Sequence, residues 1–371
     1  MHRPRRFALP SVVLLLLSLL LAACTSPRGD DKGSGGDSNA KSSGSDRLKM
    51  VQDRGKLVCG VNQSVPGFGF LKPDGSFSGF DIDFCRVIAA AVLGDAGAVE
   101  FKPLTADARF PALQTGEIDV LVRNTTMTAG RDGEQGATFA TPTFYDGQGL
   151  MVKASSQFKK LQDLKDTAIC VLQGTTTEQN LAAQFGAKRI PYEPRSFQDL
   201  NTLQGAFIEG RCDVWTADKS ALAGTRSNWP AEQGGPAGLL ILPDTLSKEP
   251  LAPAVRDGDA KWAAAVDWAV LATIQAEEFG LTQANVDQMR SSATDPDVKR
   301  FLGLPPAEGS PVFDPKLGLA PDFNYKVVKL VGSYAEIYER NVGSGTPLGL
   351  ARGPNALWTN GGLLYAPPYK P

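Results

Sequence analysis

Short apolar runs alternate with helically spaced apolar residues through the first part of the chain. Runs of strand length lie at residues 56–62, 99–103 and 119–123. Between the first two runs, apolar residues recur from Phe80 to Val92 with the spacing of one helix face, and a short helix is predicted over 107–115. This order of elements predicts a parallel α/β sheet covered on both faces.

A second series of the same kind follows, and the two series are joined by extended stretches. The second series has predicted strands at 168–172, 188–191, 213–216 and 239–242, and predicted helices at 177–185, 196–208 and 219–226. Extended stretches at 148–153 and 244–255 flank it, so we expect the chain to cross to a second sheet and return. An amphipathic helix over 260–278 and helical spacing from Tyr325 to Tyr338 then predict that the end of the chain is folded.

A group of hydroxyl and amide side chains follows the strand at 119–123. Asn124 and Thr126 belong to this group, and Arg131 lies five residues after Thr126. Hydroxyls, free backbone N–H groups and a guanidinium can together hold one carboxylate. Ligands of such sheets lie at the carboxyl ends of strands, and Asn62, Asn124 and Thr126 are candidate ligand-binding residues because they stand at such ends. A helix N-cap followed by a surface arginine explains the same residues, and the stretch alone leaves both interpretations open.

The N-terminus has the pattern of an export signal. Three arginines, the last of them Arg6, precede an apolar run over 7–21 that is too short for a lasting transmembrane helix. The run ends in Leu-Ala-Ala-Cys24, which resembles the cleavage box of bacterial lipoproteins, where the cysteine carries the lipid. We therefore expect a signal peptide over 1–23, lipidation of Cys24 and a flexible linker over 24–46. An ordinary signal peptide with an incidental cysteine is the alternative.

Composition excludes several classes of function. The single histidine is His2, so the exported chain has no imidazole for a Ser/His triad, a general base or a metal site. The sequence has no Walker loop, nucleophile elbow or dinucleotide fingerprint, and we expect no metal and no cofactor. Removing the three arginines of the signal changes the formal charge from −2 to about −5, which does not favour nucleic acid. Chemistry carried by Lys, Asp or Glu stays possible.

Four cysteines besides Cys24 suggest two disulfides in an exported protein. Three pairings are possible. We expect Cys59–Cys85 and Cys170–Cys212, because each bond then joins neighbouring elements of one series. Four buried free thiols are the alternative.

Four further stretches resemble one family. They are GFDIDFC at 79–85, YDGQG at 145–149, QGTTTE at 173–178 and YERNVG at 338–343. They resemble the periplasmic amino-acid-binding proteins of ABC importers, in particular the general L-amino-acid-binding subgroup, and the resemblance covers nearly all of 46–371. It implies a two-lobed α/β fold of the periplasmic-binding-protein type II, with two hinge strands and the ligand between the lobes. Lobe 1 would comprise 47–150 and 250–371, and lobe 2 would comprise 151–249.

The resemblance also implies a function. The chain would capture L-amino acids outside the cytoplasm and deliver them to the permease of an ABC importer. We expect a monomer without enzymatic activity, held at the outer face of the cell membrane or in the periplasm by the lipid on Cys24. A ligand-sensing subunit of a membrane signalling partner and an enzyme resembling cyclohexadienyl dehydratases on the same fold are the alternatives.

Carried over position by position, the resemblance assigns roles to single residues. Thr126, Arg131 and Thr176 would hold the ligand's α-carboxylate, and Asp218 would accept its α-ammonium. Asn62 stands where many relatives have aspartate, so its direct contact with the ligand is open. Thr176 and Asp218 also stand where helices begin, and capping is the alternative for both.

Arg109 is expected to contact the ligand's side chain. In relatives that bind glutamate and aspartate, an arginine at this position reaches the side-chain carboxylate. An arginine near the start of a helix opposes the helix dipole unless an anionic or polar group offsets it. We therefore expect glutamate, aspartate, glutamine and asparagine to bind ahead of leucine or phenylalanine. A surface arginine paired with Asp107 or Glu117 is the alternative.

Overall fold

The structure is a computed structural model that describes residues 46–371. The predicted signal peptide over 1–23, the lipid on Cys24 and all but the last residue of the predicted linker over 24–46 lie outside the described residues. None of the helices in the described part combines the length and the apolar composition that a membrane crossing needs.

Strands and helices alternate through the described residues. The strands are β1 (Leu57–Val61), β2 (Ser64–Val65), β3 (Gly69–Leu71), β4 (Phe77–Ser78), β5 (Val99–Pro103), β6 (Val120–Leu121), β7 (Ala137–Phe139), β8 (Phe144–Lys153), β9 (Thr167–Leu172), β10 (Tyr192–Phe197), β11 (Val214–Asp218), β12 (Leu239–Ile241), β13 (Lys248–Leu251) and β14 (Ala254–Arg256). The helices are α1 (Arg47–Arg54), α2 (Phe80–Leu93), α3 (Arg109–Thr115), α4 (Ala129–Gly133), α5 (Thr176–Lys188), α6 (Leu200–Ile208), α7 (Lys219–Ser227), α8 (Ala260–Glu278), α9 (Val286–Ser292), α10 (Pro296–Phe301), α11 (Phe323–Leu330) and α12 (Tyr334–Asn341).

The first sheet has the strand order β5-β1-β6-β14-β7. β1 lies between two parallel neighbours, with Cys59 opposite Phe101 of β5 and Val120 of β6. β14 is antiparallel to β6 and β7. The predicted parallel arrangement is confirmed for β5, β1 and β6, so the polar residues that follow β1 and β6 lie at the same edge of the sheet.

The second sheet has the strand order β10-β9-β11-β8-β12. β9 is parallel to β10 and β11, whereas β8 runs antiparallel to β11 and β12. Its core forms two layers, one around Leu181 and Phe185 of α5 and one around Phe207 of α6 and Trp215 of β11. The sheet is therefore covered on both faces, as the alternating pattern predicts.

β8 and β13 connect the two sheets as an antiparallel pair, with Asp146 opposite Glu249. Phe144, at the start of β8, belongs to the core of the first lobe, whereas Leu150 and Val152 belong to the core of the second. Two extended crossings thus join two lobes, and the two-lobed α/β fold is confirmed. The predicted lobe limits at 150/151 and 249/250 stay predictions.

The end of the chain packs back on the first lobe. α8 has the predicted bounds, and it packs with α11 and α12 against α2. Tyr334 and Tyr338 of α12 are buried in this core, where their rings lie 5.8 and 6.3 Å from that of Phe80. The helical spacing at 325–338 therefore identified a folded segment correctly.

The structure contains two disulfides, Cys59–Cys85 and Cys170–Cys212. The first ties β1 to α2. The second ties β9 to the residues before β11. Each bond lies within one lobe, so neither crosses the cleft.

The predicted strand at 188–191 is wrong. α5 continues to Lys188, Arg189 adopts the left-handed conformation that ends it, and the strand is β10 at Tyr192–Phe197. β10 contains Pro194 and lies at the edge of its sheet, where proline is tolerated because one side of the strand needs no hydrogen bonds. The segment has too few apolar residues for its alternating pattern to predict a strand from the sequence.

Several predicted boundaries also change. The helix predicted over 196–208 begins at Leu200, because Asp199 caps it by accepting a hydrogen bond from the backbone N of Thr202 at 2.9 Å. The helix predicted over 107–115 begins at Arg109, and the strand predicted over 119–123 is reduced to Val120–Leu121.

Candidate functional site

One cavity lies between the strand ends of the two sheets, and residues of both lobes line it. The first lobe contributes β2, α3, α4 and the residues that follow β1 and β6, and the second lobe contributes β9, α5, α6, β11 and α7. All seven residues predicted to bind a ligand line this cavity: Asn62, Arg109, Asn124, Thr126, Arg131, Thr176 and Asp218.

Arg131 is placed by a short helix in the first lobe. Thr128 caps α4 by accepting a hydrogen bond from the backbone N of Arg131 at 3.2 Å, so the capping interpretation is also correct. The side chain is not on the surface, because only 9% of Arg131 is exposed. Its Nη1 donates to the carbonyl oxygen of Thr126 at 2.7 Å, which holds the guanidinium against the cavity.

Arg109 is the first residue of α3 and is only 2% exposed, so the surface interpretation is wrong. The two acids proposed as surface partners are engaged elsewhere, Asp107 with Thr105 and Glu117 with Lys102. Nη2 of Arg109 donates across the cleft to the carbonyl oxygen of Gly174 at 3.2 Å. Arg109 therefore touches both lobes.

Arg109 and Arg131 share one aromatic surface. Their guanidinium carbons lie 5.3 and 5.5 Å from the centre of the Phe110 ring, within the range of a cation–π contact. Burial, followed by the nearby Arg131 and Arg123, holds the pKa of Arg109 well below its usual range. Two buried cations on one ring repel each other, and an anion in the cavity would relieve that repulsion.

The second lobe contributes hydroxyls and one carboxylate. Thr175 caps α5 by accepting from the backbone N of Glu178 at 3.2 Å, which leaves Thr176 at the cavity. Asp218, at the end of β11, precedes α7 but makes no side-chain capping bond. Burial, with Asp146 and Glu249 nearby, raises the pKa of Asp218 well above its ordinary value. A cation in the cavity would favour its ionised form.

Glu249 joins the hydroxyls of both lobes. It belongs to β13 and is 1% exposed. Its Oε2 accepts from Thr126 Oγ1 at 2.6 Å and from Thr176 Oγ1 at 2.8 Å. Its Oε1 accepts from Asn180 Nδ2 at 2.8 Å and from the hydroxyl of Ser247. The protons of both threonine hydroxyls are therefore directed at Glu249 and not into the cavity.

The backbone N–H groups of these threonines are available instead. Within residues 46–371, neither the N–H of Thr126 nor that of Thr176 donates to another group of the chain. Both residues line the cavity together with Arg131. Two free N–H groups and a guanidinium are a suitable donor set for one carboxylate.

Asn62 and Asn124 differ in which of their side-chain hydrogen-bonding groups are already used within the protein. Asn62 uses its Oδ1 to accept from the backbone N of Gln63 at 2.9 Å and of Ser64 at 3.3 Å, so it organises the turn after β1. Asn124 adopts a left-handed conformation with φ of 40°, and its N donates to Asp81 Oδ2 at 2.8 Å. Neither polar atom of the Asn124 side chain has a partner among the described residues, although both are buried.

Sequence reasoning missed two charged residues of this site, Glu249 and Arg123. Arg123 stands two residues after the end of β6, lines the cavity and is 6% exposed. Both residues lie in stretches predicted to be extended, where a charged residue signals nothing by itself. In residues 46–371, no group of three or more potential ligands is arranged to hold a metal ion.

The family model for the bacterial extracellular solute-binding proteins, family 3, matches residues 57–283. The chain belongs to this family. The solved structures that it resembles are periplasmic binding proteins of type II, in agreement with the two lobes and two crossings.

Relatives with known names match most of this solute-binding protein. The general L-amino acid-binding periplasmic protein AapJ of Rhizobium johnstonii is 48% identical over 87% of this chain and 92% of that protein. The glutamate/glutamine/aspartate/asparagine-binding protein BztA of Rhodobacter capsulatus is 44% identical over 87% of this chain and 93% of that protein. A solved structure of an ABC transporter periplasmic binding protein from Brucella ovis with glutathione bound has a TM-score of 0.82 and 45% identity, covering 87% of this chain and 99% of that chain.

Proposed function

We propose that this solute-binding protein captures L-amino acids outside the cytoplasm, prefers acidic and polar ones, and delivers them to the permease of an ABC importer. The observation that carries the proposal is the separation of charge in the cavity: Arg131 lies on one wall and Asp218 on the other. An L-α-amino acid has its carboxylate and ammonium one carbon apart and can satisfy both walls at once. The names of AapJ and BztA support the same class of ligand.

The ligand's main chain is proposed to bind in one orientation. The carboxylate accepts from Arg131 and from the backbone N–H groups of Thr126 and Thr176. The ammonium lies against Asp218. The threonine hydroxyls, whose protons point at Glu249, keep lone pairs that can accept from the ammonium. Arg109 extends toward the side chain.

Attachment to a membrane is proposed from the N-terminal sequence. The Leu-Ala-Ala-Cys24 stretch supports lipidation of Cys24, and the linker over 24–46 would keep the binding lobes near the permease. Replacing Cys24 with serine should release the exported protein from washed membranes. Equal retention of the Cys24→Ser variant would contradict the anchor without bearing on ligand binding.

A thermal-shift screen of the twenty L-amino acids, followed by calorimetry, tests the ligand class. A ligand at a hundred times its dissociation constant adds about 2.7 kcal/mol to the unfolding free energy, which such a screen detects. We expect glutamate, aspartate, glutamine and asparagine to stabilise the protein most. D-glutamate and N-acetyl-L-glutamate, which misplace or remove the ammonium, are matched negative controls. A chain that no L-amino acid stabilises would contradict the proposal.

A further inference from the structure

Three buried arginines line the cavity, but the main chain of an amino acid has only one carboxylate. Arg109, Arg123 and Arg131 are 2%, 6% and 9% exposed. None of the three has a carboxylate oxygen within 4.0 Å among the described residues. Buried cations are normally paired, so three unpaired ones in one cavity indicate more than one anionic group in the ligand. Arg131 is sufficient for the first anionic group.

Arg123 is anchored so that part of its guanidinium stays available. Its Nε donates to the carbonyl oxygen of Leu104 at 2.8 Å, which ties the side chain to the segment after β5. Its two Nη groups donate to no residue in 46–371, and Arg123 lines the cavity. The planar fork of a guanidinium can then offer parallel N–H groups to a carboxylate.

Arg123 and Arg109 influence each other electrostatically. Arg123 contributes to the low pKa of Arg109, after burial and Arg131. Burial lowers the pKa of Arg123 itself to about 10, although the nearby Asp81 opposes that change. Asp81 accepts a hydrogen bond from the backbone N of Asn124 and forms no close ion pair with Arg123. A second anion between Arg109 and Arg123 would remove the repulsion between them.

We propose that Arg123 and Arg109 together bind the ligand's side-chain carboxylate, so that Arg123 is a specificity-determining residue for L-amino acids with an anionic side chain. The inference rests on the proposed function, because it assigns the α-carboxylate to Arg131. It adds a residue and a selectivity: glutamate and aspartate bind more tightly than their amides, and Arg123 contributes to that difference.

The test compares three ligands by calorimetry on the wild type and on Arg123→Met, with glutamate, glutamine and alanine as probes. Losing a charge-assisted hydrogen bond should weaken glutamate roughly 10- to 100-fold. Alanine has nothing at this subsite, and its affinity should stay within about twofold. Glutamine should fall between the two. Arg47→Met is the matched control, because Arg47 is a half-buried arginine that pairs with the buried Asp119, and neither residue lines the cavity. That variant should change stability and leave all three affinity ratios unchanged.

A double-mutant cycle with Arg109→Ala sharpens the assignment. If both arginines grip one carboxylate, their effects on glutamate binding are strongly non-additive, whereas their effects on alanine binding show no coupling. Arg123→Lys keeps the charge without the fork, and it should retain part of the preference for glutamate over glutamine. If Arg123→Met does not fold, the ratio of glutamate to glutamine affinity is measured on Arg123→Lys instead.

Equal losses for glutamate, glutamine and alanine would overturn the inference, because Arg123 would then only support the strand end through Leu104. Additive effects of the two arginines on glutamate would overturn it as well. Both outcomes leave the wild type binding amino acids, so they are distinguishable from failure of the proposed function, in which the wild type binds none of the three probes.

Discussion

The two walls of the cleft are built from the same kind of elements and carry opposite chemistry. The wall of the first lobe presents three guanidiniums: Arg109, Arg123 and Arg131. The wall of the second lobe presents threonine hydroxyls and Asp218. In both lobes the side chains follow strands or begin helices, so the fold places them at the cleft and the residue type decides the charge. A ligand with separated charges can bridge such walls and favour the closed arrangement over an open one.

Replacing Arg131 with alanine should cause the largest loss of ligand affinity, because it removes the proposed cationic partner of the α-carboxylate from the first lobe's wall. Removing one partner of a buried ion pair costs about 3–5 kcal/mol, which is roughly two to four orders of magnitude in affinity for every L-amino acid. Calorimetry measures the loss, and thermal unfolding without ligand checks the fold. Arg86→Ala, which removes a half-exposed partner of Asp83, is the control and should leave affinity unchanged. A loss smaller than tenfold would contradict the role of Arg131.

Replacing Asp218 with asparagine should weaken binding by about 2–3 kcal/mol, because asparagine keeps an acceptor oxygen but not the charge that faces the ammonium. The pH dependence follows from the pKa of Asp218, which burial raises in the ligand-free cavity. The ligand's ammonium favours the carboxylate, so binding releases a proton. The affinity should therefore increase as the pH rises toward the raised pKa of Asp218. It should decrease as the pH is lowered further below that pKa.

In Asp218→Asn this pH dependence should disappear, which isothermal titration across a pH series can establish. The unfolding free energy without ligand should change little, because Asp218 makes no capping bond to α7. A pH dependence that persists in the variant would mean that another group titrates with binding.

Replacing Arg109 with alanine should lower the affinity for some ligands more than for others, because Arg109 is proposed to contact only the ligand's side chain. Glutamate should lose roughly 1.5–3 kcal/mol of binding free energy, the range for a hydrogen bond to a charged group. The variant also loses the bond to the carbonyl of Gly174, a loss common to all ligands. The ratio of glutamate to alanine affinity is therefore the informative quantity. An unchanged ratio, or wild-type preference for large apolar amino acids, would show that Arg109 does not contact the side chain.

Replacing Glu249 with glutamine tests the residue that joins the two walls. The carboxylate accepts four hydrogen bonds, and an amide must present its NH2 group to one pair of those donors. We expect binding of neutral amino acids to weaken by about 1–2 kcal/mol. Glu277→Gln, which disrupts a pair with Arg352 outside the cavity, should lower stability without this effect on affinity. Unchanged affinity for alanine in Glu249→Gln would show that the hydroxyl network does not organise the site.

Much of the site was predictable because its residues carry local signals. The Asn124–Thr126 stretch follows an apolar run, Arg131 follows it within two helical turns, and Asp218 ends a strand before a helix. Glu249 and Arg123 have no such signal. Each gains its role from residues far away in the sequence: Glu249 meets Thr126 and Thr176, which are 123 and 73 residues distant.

The sequence by itself determined the main alternation of strands and helices in the two series, apart from the position of β10, and the two crossings. It also determined the absence of histidine from residues 24–371 and the type of charge available at each strand end. These properties depend on periodicity and composition, which are local. The tertiary structure decided which groups are buried, which hydroxyl protons are already directed at Glu249, and that three arginines share one cavity. It also decided that the polar stretch Tyr192–Phe197 is an edge strand. Such outcomes depend on burial and on neighbours from distant parts of the chain, and no local pattern contains them.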